Sequence, residues 1–142
     1  MPNLKPLTIA AVATFAALAS LSAQAKDLRE ADVPEAVRAA VAQALPNAQV
    51  TEWDFDDGRY EAELREGRLE AKLELSPEGR ILKSKRDVAA EAIPTNVREE
   101  VLRRRPGAEI LGANLHEEEG KTWWDVGVKL ENGRHKNEIV RP

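Results

Sequence analysis

The sequence predicts an α+β fold in which two tandem α-β-β-β(-β) repeats form a two-layer domain, with helices covering one face of an antiparallel sheet. Three observations lead to this prediction. The segment at residues 33–50 returns 60 residues later without a gap. Each copy opens with a proline and with apolar residues at helical spacing. Alternating apolar and charged residues follow, as in strands with one packed and one solvated face.

Composition and charge exclude several classes of protein. The chain has 142 residues, with 21 Lys+Arg, 25 Asp+Glu, two His and no Cys, for a net charge of −4. A mildly acidic chain is a poor match for a phosphate backbone, so no nucleic-acid partner is predicted. The absence of cysteine excludes thiol catalysis, disulfides and cysteine-ligated metals. We predict no cofactor and no resident metal.

Residues 1–25 have the pattern of a secretory signal peptide. Lys5 precedes an apolar run over residues 7–21, and Ala23-Gln24-Ala25 supplies the small residues that a signal peptidase reads. The run is short for a membrane anchor and is diluted by hydroxyl residues. We therefore predict cleavage after Ala25 and a mature domain over residues 26–142. The predicted location is periplasmic or secreted, without membrane contact after cleavage.

Each of the two copies, at about residues 33–90 and 93–142, begins with a predicted helix. Pro34 and Pro94 suit a first helical turn, where the missing proline N–H has no consequence. Asp32 is the expected N-cap of the first helix. Pro46 and Pro106 end the two helices, because proline cannot continue the hydrogen-bonding pattern.

Hairpin turns separate the predicted strands that follow each helix. Asp56-Asp57-Gly58 is a hairpin turn signal, and Asn132-Gly133 is the strongest two-residue hairpin signal in the chain. A turn at residues 76–79 leads into a short strand over residues 80–83. The second copy has no room for that last strand. A further turn is expected over residues 117–120.

These helix starts and hairpin turns resemble the PepSY-like family, which is also described as β-lactamase-inhibitor-protein-like (BLIP-like). The matching segments cover residues 33–37, 46–50, 56–64, 77–82, 93–97 and 106–110. The resemblance implies a small secreted or periplasmic module without catalytic residues, and related propeptide and inhibitor modules imply binding to an enzyme. Two adjacent tryptophans replace the usual single aromatic, and the second copy is short. Because β-lactamase inhibitor proteins carry disulfides and this chain has none, inhibition of a β-lactamase is not implied.

Few residues of the mature chain could support chemistry. Its serines are Ser76 and Ser84 and its histidines are His116 and His135, and no nucleophile motif surrounds either serine. We therefore predict that the protein is not an enzyme. The two histidines and the acids at residues 117–119 could bind a metal, but their spacing matches no established ligand pattern.

The aromatic residues indicate where a partner would bind. Strict alternation places Trp124 on the inward row and Trp123 on the solvated face, where an exposed tryptophan suits an interface. The alternative is a β-bulge that shifts the register and buries both tryptophans. The predicted partner-binding residues, all on the charged face, are Trp123, Asp125, Lys129, Arg59, Glu61 and Glu63.

Two functions are compatible with this pattern. The first is a non-catalytic module that binds a protein in the cell envelope or outside the cell, as an inhibitor or modulator of an exported enzyme. It would act by steric occlusion and charge complementarity. The alternative is an envelope protein that binds or senses a small ligand or a metal ion. The oligomeric state does not follow from the sequence.

Overall fold

The computed structural model describes residues 26–142, and the predicted signal peptide lies outside the described residues. The strands form one antiparallel sheet in which each strand pairs with the next along the chain. The helices and strands are β1 (Lys26–Asp27), α1 (Glu35–Ala44), β2 (Gln49–Asp56), β3 (Arg59–Glu66), β4 (Leu69–Leu75), β5 (Ile81–Ala89), α2 (Thr95–Arg104), β6 (Glu109–Glu118), β7 (Lys121–Lys129) and β8 (His135–Val140). The predicted α+β class and antiparallel sheet are confirmed. Within residues 26–142, no helix combines the length and the apolar character that crossing a membrane requires.

The two helices begin one residue after their prolines. Pro34 and Pro94 have nearly identical backbone angles (φ −54, ψ 142 and φ −55, ψ 143), and the Pro34 carbonyl accepts the N–H groups of Val37 and Arg38. The expected cap at Asp32 is wrong. A residue before proline is driven to extended backbone, so the helix cannot begin earlier. Asp32 instead lies in a 3-10 turn and accepts a hydrogen bond from Arg29.

Each helix covers one half of the same sheet face. In the first half, Val37 and Val41 of α1 belong to a buried cluster with the inward row of β2, β3 and β4. In the second half, Val97 and Val101 of α2 belong to a separate buried cluster with the inward row of β6, β7 and β8. Apolar burial on this face is the main stabilising contribution. Within residues 26–142, no helix lies over the opposite face, which we call the open face.

Strand β5 joins the two halves and is longer than predicted. It covers Ile81–Ala89 and pairs with β4 on one side and β6 on the other. Residues 84–87 lack apolar alternation, because both of their inward positions are polar: Ser84 is buried opposite Leu73, and Arg86 lies opposite Ala71. Similarly, β6 continues to Glu118, so the turn that follows consists of Glu119 and Gly120, both with positive φ. Two consecutive residues with positive φ form a two-residue hairpin turn whose backbone follows the twist of the flanking strands.

The edge strand β8 is attached to α2 by the arginine run at the helix end. The Nε atom of Arg105 lies 2.5 Å from a carboxylate oxygen of Glu138, and Arg104 donates to the Ile139 carbonyl at 2.7 Å. The Glu138 side chain is 12% exposed. Arg104 therefore occupies a backbone carbonyl of the edge strand, a group that would otherwise be free to pair with another chain.

Replacing Glu138 with alanine is expected to destabilise the fold by about 1.5–3 kcal/mol, the range for hydrogen bonds to charged groups. The measurement is urea unfolding of wild type and Glu138→Ala. Glu70→Ala is the control, because its ion pair with Arg65 is exposed on both sides and should contribute only about 0–1 kcal/mol. Equal losses in the two variants would contradict a special role for Glu138.

Candidate functional site: the open face of the sheet

All six predicted binding residues lie on the open face, in two groups. Arg59, Glu61 and Glu63 lie on β3, and Trp123, Asp125 and Lys129 lie on β7. Three strands separate the two groups, which corresponds to about 19 Å at the usual strand spacing. The open face therefore brings each group together but does not bring the two groups into contact.

In the half of the open face formed by β2 to β5, here called the salt-bridged half, the charges of β3 and β4 pair with one another. Arg59 pairs with Glu74 at 2.6 Å, and Lys72 lies 2.9 Å from Glu61 and 3.8 Å from Glu63. The hydrogen bond that the Lys72 ammonium donates to Glu61 raises the pKa of Lys72 above its ordinary value. The three predicted residues on β3 thus already have partners within the chain. An incoming protein would have to compete with those partners.

The half formed by β6 to β8, here called the C-terminal half, is centred on Trp123. Its indole stacks on the imidazole of His116, with ring centroids 5.0 Å apart and planes 6° apart. The Arg141 guanidinium lies 5.6 Å from the Trp123 ring centroid. Because β6 and β8 flank β7, the two neighbours hold the indole upright from opposite sides. An aromatic side chain fixed in this way loses little conformational freedom when a partner binds.

The register of β7 separates the two tryptophans. Trp123 pairs with His116 on the open face, and Trp124 pairs with Leu115 and Val140 on the helix side. The only register shift between β6 and β7 lies between Ile110 and Gly112, far from the tryptophans. The bulge that would bury both is therefore absent from this part of the described chain. Trp124 is 9% exposed, whereas Trp123 is half-buried by its two neighbours.

A shallow depression of about 370 Å³ lies on the open face across β5, β6 and β7. Its floor is the cross-strand pair Gly112 and Gly127, which leaves the backbone uncovered, and its rim includes Asp87, Asn114 and Asp125. Exposed apolar side chains, Leu111 in its lining and Ile139 opposite Asp125, flank it. Of the residues around the depression, the set of binding residues predicted from the sequence includes only Asp125. The sequence analysis placed the turn between β6 and β7 at residues 117–120. A two-residue turn at Glu119-Gly120 would have predicted the cross-strand pairs His116–Trp123 and Asn114–Asp125.

The surroundings of His116 favour its uncharged form in this stack. Burial first, and then the neighbouring Lys85 ammonium, lower the pKa of His116 below its ordinary value. The metal site considered for the two histidines is not formed. Their cross-strand partners Trp123 and Lys129 are six residues apart on β7, or about 20 Å at the usual rise per residue.

The serines are not arranged for nucleophilic chemistry with the histidines. Ser84 lies on the helix side of the sheet, whereas His116 lies on the open face. Ser76 accepts the N–H of Arg80 within a turn. Hydrogen bonding between Ser84 and His116, which a catalytic dyad would need, is blocked by the sheet itself.

Three carboxylates converge at the opposite edge of the sheet. Oxygens of Asp27, Glu52 and Asp54 lie within 4.8 Å of one another. The pKa of Glu52 is raised, mainly by the charge of Asp54, and the pKa of Asp54 is raised by burial and then by Asp27. Exposed acids form such groups without an ion, and here the consequence is mutual repulsion.

The repulsion has a defined pH dependence. A carboxyl with a raised folded pKa binds its proton more tightly in the folded state, so stability falls as pH rises from the unfolded to the folded pKa. We expect Asp54→Asn to raise the melting temperature at pH 7 and to differ little from wild type at about pH 3, where the carboxylates are protonated. The measurement is thermal unfolding of wild type and Asp54→Asn across this pH range. If the two melting temperatures differ as much at low pH as at pH 7, repulsion among the three carboxylates is not the cause.

Solved structures share this fold. No protein-family model matches the sequence, and no curated protein matches it. A DUF2874 family protein from Bacteroides uniformis is 17% identical, with a TM-score of 0.55 over 77% of this chain and 82% of that chain. A BLIP-like protein from Bacteroides fragilis is 16% identical, with a TM-score of 0.53 over 77% of this chain and 88% of that chain.

A third solved structure, from Bacteroides eggerthii, belongs to a protein provisionally described as periplasmic. It is 15% identical, with a TM-score of 0.54 over 78% of this chain and 82% of that chain. At these identities the likeness concerns the fold alone. In architecture, this chain is similar to the DUF2874 and BLIP-like proteins.

Proposed function

We propose that this protein is a non-catalytic, exported binding module that docks a partner protein through the C-terminal half of its open face. The observation that carries the proposal is Trp123, held between His116 and Arg141 on a sheet face that no helix of the described residues covers. Tryptophan is among the residues most enriched in interface hot spots. The exposed Ile139 and Leu111 add apolar surface around it. Partner binding by steric occlusion would make the module an inhibitor or modulator of an exported enzyme.

The comparisons support an envelope location for this module. One structural neighbour is BLIP-like and another is provisionally described as periplasmic. Both descriptions agree with the predicted signal peptide at residues 1–25. Within the predicted binding residues, Trp123, Asp125 and Lys129 would contact the partner first. Arg59, Glu61 and Glu63 would form a charged rim that affects the association rate more than the affinity.

The proposal includes a PepSY-like origin by internal duplication. Its support is geometric. The two helices start with the same proline angles, and their last residues are followed by Leu45 and Arg105 with similar angles (φ −135, ψ 72 and φ −130, ψ 71). Both hairpins that follow the helices carry a register shift at the same place, after Val50 and after Ile110.

Affinity capture tests the binding function. The protein over residues 26–142 would be immobilised and exposed to envelope extract of the source organism. We expect wild type to retain a partner that Trp123→Ala loses, with a loss of affinity of about 30-fold or more for a hot-spot tryptophan. Leu102→Ala is the matched control, because Leu102 is an exposed apolar residue on α2. It should retain the partner.

Two outcomes would contradict the proposal. Identical sets of retained proteins on all three baits would show that binding does not involve the open face. Retention of no protein by wild type, at concentrations that detect micromolar affinity, would exclude a stable protein partner in that extract. Purified wild type and Trp123→Ala should have similar circular dichroism spectra, so that a lost partner is not a lost fold.

The second candidate function is binding or sensing of a metal ion or small ligand. The observation that favours it is the convergence of Asp27, Glu52 and Asp54, since oxygen-only ligand sets suit Ca²⁺. A ligand that binds only the folded state raises stability by RT ln(1 + [L]/Kd). Under this function, Ca²⁺ would raise the melting temperature of wild type but not of Asp54→Asn. Equal responses of the two proteins would count against it.

A further inference from the structure

The outer edge of β8 has no strand beside it within residues 26–142. In the first half of the sheet, β4 is the third strand after α1, and β5 pairs with its far side. In the second half, β8 is the third strand after α2, and the sheet ends there. An edge strand presents unpaired N–H and C=O groups that can pair with another chain. The second half therefore lacks the fourth strand that completes the first.

Arg104 contacts the backbone group that such a fourth strand would use. Its guanidinium donates to the Ile139 carbonyl at 2.7 Å and to Glu100 of the same helix at 2.8 Å. The Ile139 carbonyl therefore points away from β7. Because outward groups alternate along an antiparallel strand, His135 and Asn137 also direct their backbone N–H and C=O groups outward. The last residue of α1, on the half where the fourth strand is present, is Ala44, which has no side-chain donor.

A second copy of β8, running antiparallel and centred on Asn137, would complement this edge. Asn137 would face Asn137 of the second copy, and His135 would face Ile139, so that outward-facing residues exchange backbone hydrogen bonds. Lys136 would face Glu138, and opposite charges would meet at two places across the strands. Lys136 forms no salt bridge within residues 26–142, so its ammonium is available for this contact.

The contact of Arg104 opposes this pairing. In the antiparallel ladder, the Ile139 carbonyl accepts the backbone N–H of His135 from the second copy. Arg104 already donates to that carbonyl, and its side chain lies in the path of the incoming strand. Because the pairing has two-fold symmetry, the same obstruction occurs at both ends of the shared ladder. Only the central bonds at Asn137 would remain, which are too few to order two chains.

We propose that the outer edge of β8 is a self-association edge that pairs with a second copy of this chain, and that Arg104 keeps it closed. Antiparallel pairing places the two-fold axis perpendicular to the sheet. The dimer would therefore have one continuous sheet, with both pairs of helices on one side and both open faces on the other. It would present Trp123 twice on the same surface. The inference does not depend on the proposed protein partner.

Sedimentation equilibrium of the protein over residues 26–142 tests the role of Arg104. We expect the dimer Kd of Arg104→Ala to be at least about tenfold lower than that of wild type. The Arg104 side chain is 40% exposed, so its truncation leaves no buried cavity. Arg104→Met keeps the aliphatic stem without the donor and should behave like Arg104→Ala. Arg103→Ala is the matched control, because Arg103 also pairs with Glu100 but its salt bridge does not involve β8.

Cysteine crosslinking tests the register of the pairing. The chain has no cysteine, so a single introduced thiol can form a disulfide only with a second copy. Asn137→Cys would face itself with Cα atoms about 5.5 Å apart, within the range of a disulfide. We expect it to crosslink at least about tenfold faster when combined with Arg104→Ala. Lys136→Cys with Arg104→Ala is the control, because strand geometry puts its two Cα atoms about 8 Å apart, beyond disulfide reach.

Two outcomes would overturn the proposal. Equal dimer Kd values for wild type and Arg104→Ala, whether both are monomers or both are dimers, would show that Arg104 does not close the edge. Equal crosslinking rates at Asn137→Cys and Lys136→Cys would exclude pairing centred on Asn137. Neither measurement involves a partner protein. If both fail while affinity capture still depends on Trp123, the binding function stands and the self-association edge does not.

Discussion

Trp124→Ala is expected to destabilise the protein by about 3–5 kcal/mol, the usual range for truncating a buried tryptophan. Trp124 lies on the helix side of β7, in the buried cluster that α2 covers. Truncation would remove most of its buried surface and leave a cavity between α2 and the sheet. Urea unfolding of the purified variant measures the loss directly.

The adjacent Trp123→Ala is the matched comparison. This residue is the same amino acid on the same strand, but it lies on the open face. Its contacts are the stack on His116 and the Arg141 guanidinium, which together contribute about 1–2 kcal/mol. Losses of equal size in the two variants would mean that the register of β7 is wrong, and with it the assignment of the open face. A small loss for Trp123→Ala also makes this variant suitable for the capture experiment.

Gly79→Ala is expected to cost about 2–5 kcal/mol. Gly79 ends the turn between β4 and β5 with φ +86, and a Cβ there would lie 2.5 Å from the Ala36 carbonyl oxygen of α1. The left-handed backbone contributes about 1–2 kcal/mol of this loss. The remainder comes from forcing the turn away from the helix, at a typical overpacking cost of about 1–3 kcal/mol. Thermal and urea unfolding measure the effect.

Gly67→Ala separates these two contributions. Gly67 also has a positive φ, +62, but a Cβ there would meet nothing within 4 Å. Its loss should therefore be the backbone cost alone, about 1–2 kcal/mol. If the two alanine variants lose the same stability, the hairpin does not pack against α1 as closely as the fold requires.

The proposed function assigns different tasks to the two halves of the open face. In the salt-bridged half, the charges of β3 and β4 pair with one another, which discourages non-specific contacts. The C-terminal half combines a supported tryptophan, apolar neighbours and Asp125, which forms no salt bridge within residues 26–142. This division predicts that Trp123→Ala and Asp125→Asn weaken the affinity for the partner, whereas Glu63→Gln on the other half changes the association rate more than the affinity.

Local signals in the sequence predicted most of the secondary structure. Prolines, hairpin turn residues and alternation of polarity act over a few residues, so both helices and most strands follow from them. The same alternation placed Trp123 and Trp124 on opposite faces. The prediction of β5 was too short because Ser84, buried where the two halves of the sheet meet, interrupts the apolar pattern. The expected Asp32 cap was wrong because the constraint that proline imposes on its preceding residue outweighs the capping preference.

Only the tertiary structure decided how the open face is organised. Whether Glu61 pairs with Lys72, or whether Asp125 has no cation, depends on which strands become neighbours and in what register. Those contacts join residues that are distant along the chain, and a one-residue change of register would move every side chain to the other face. The sequence by itself determined the elements and their polar and apolar rows. The pairing of strands determined which charges are satisfied within the molecule and which are not.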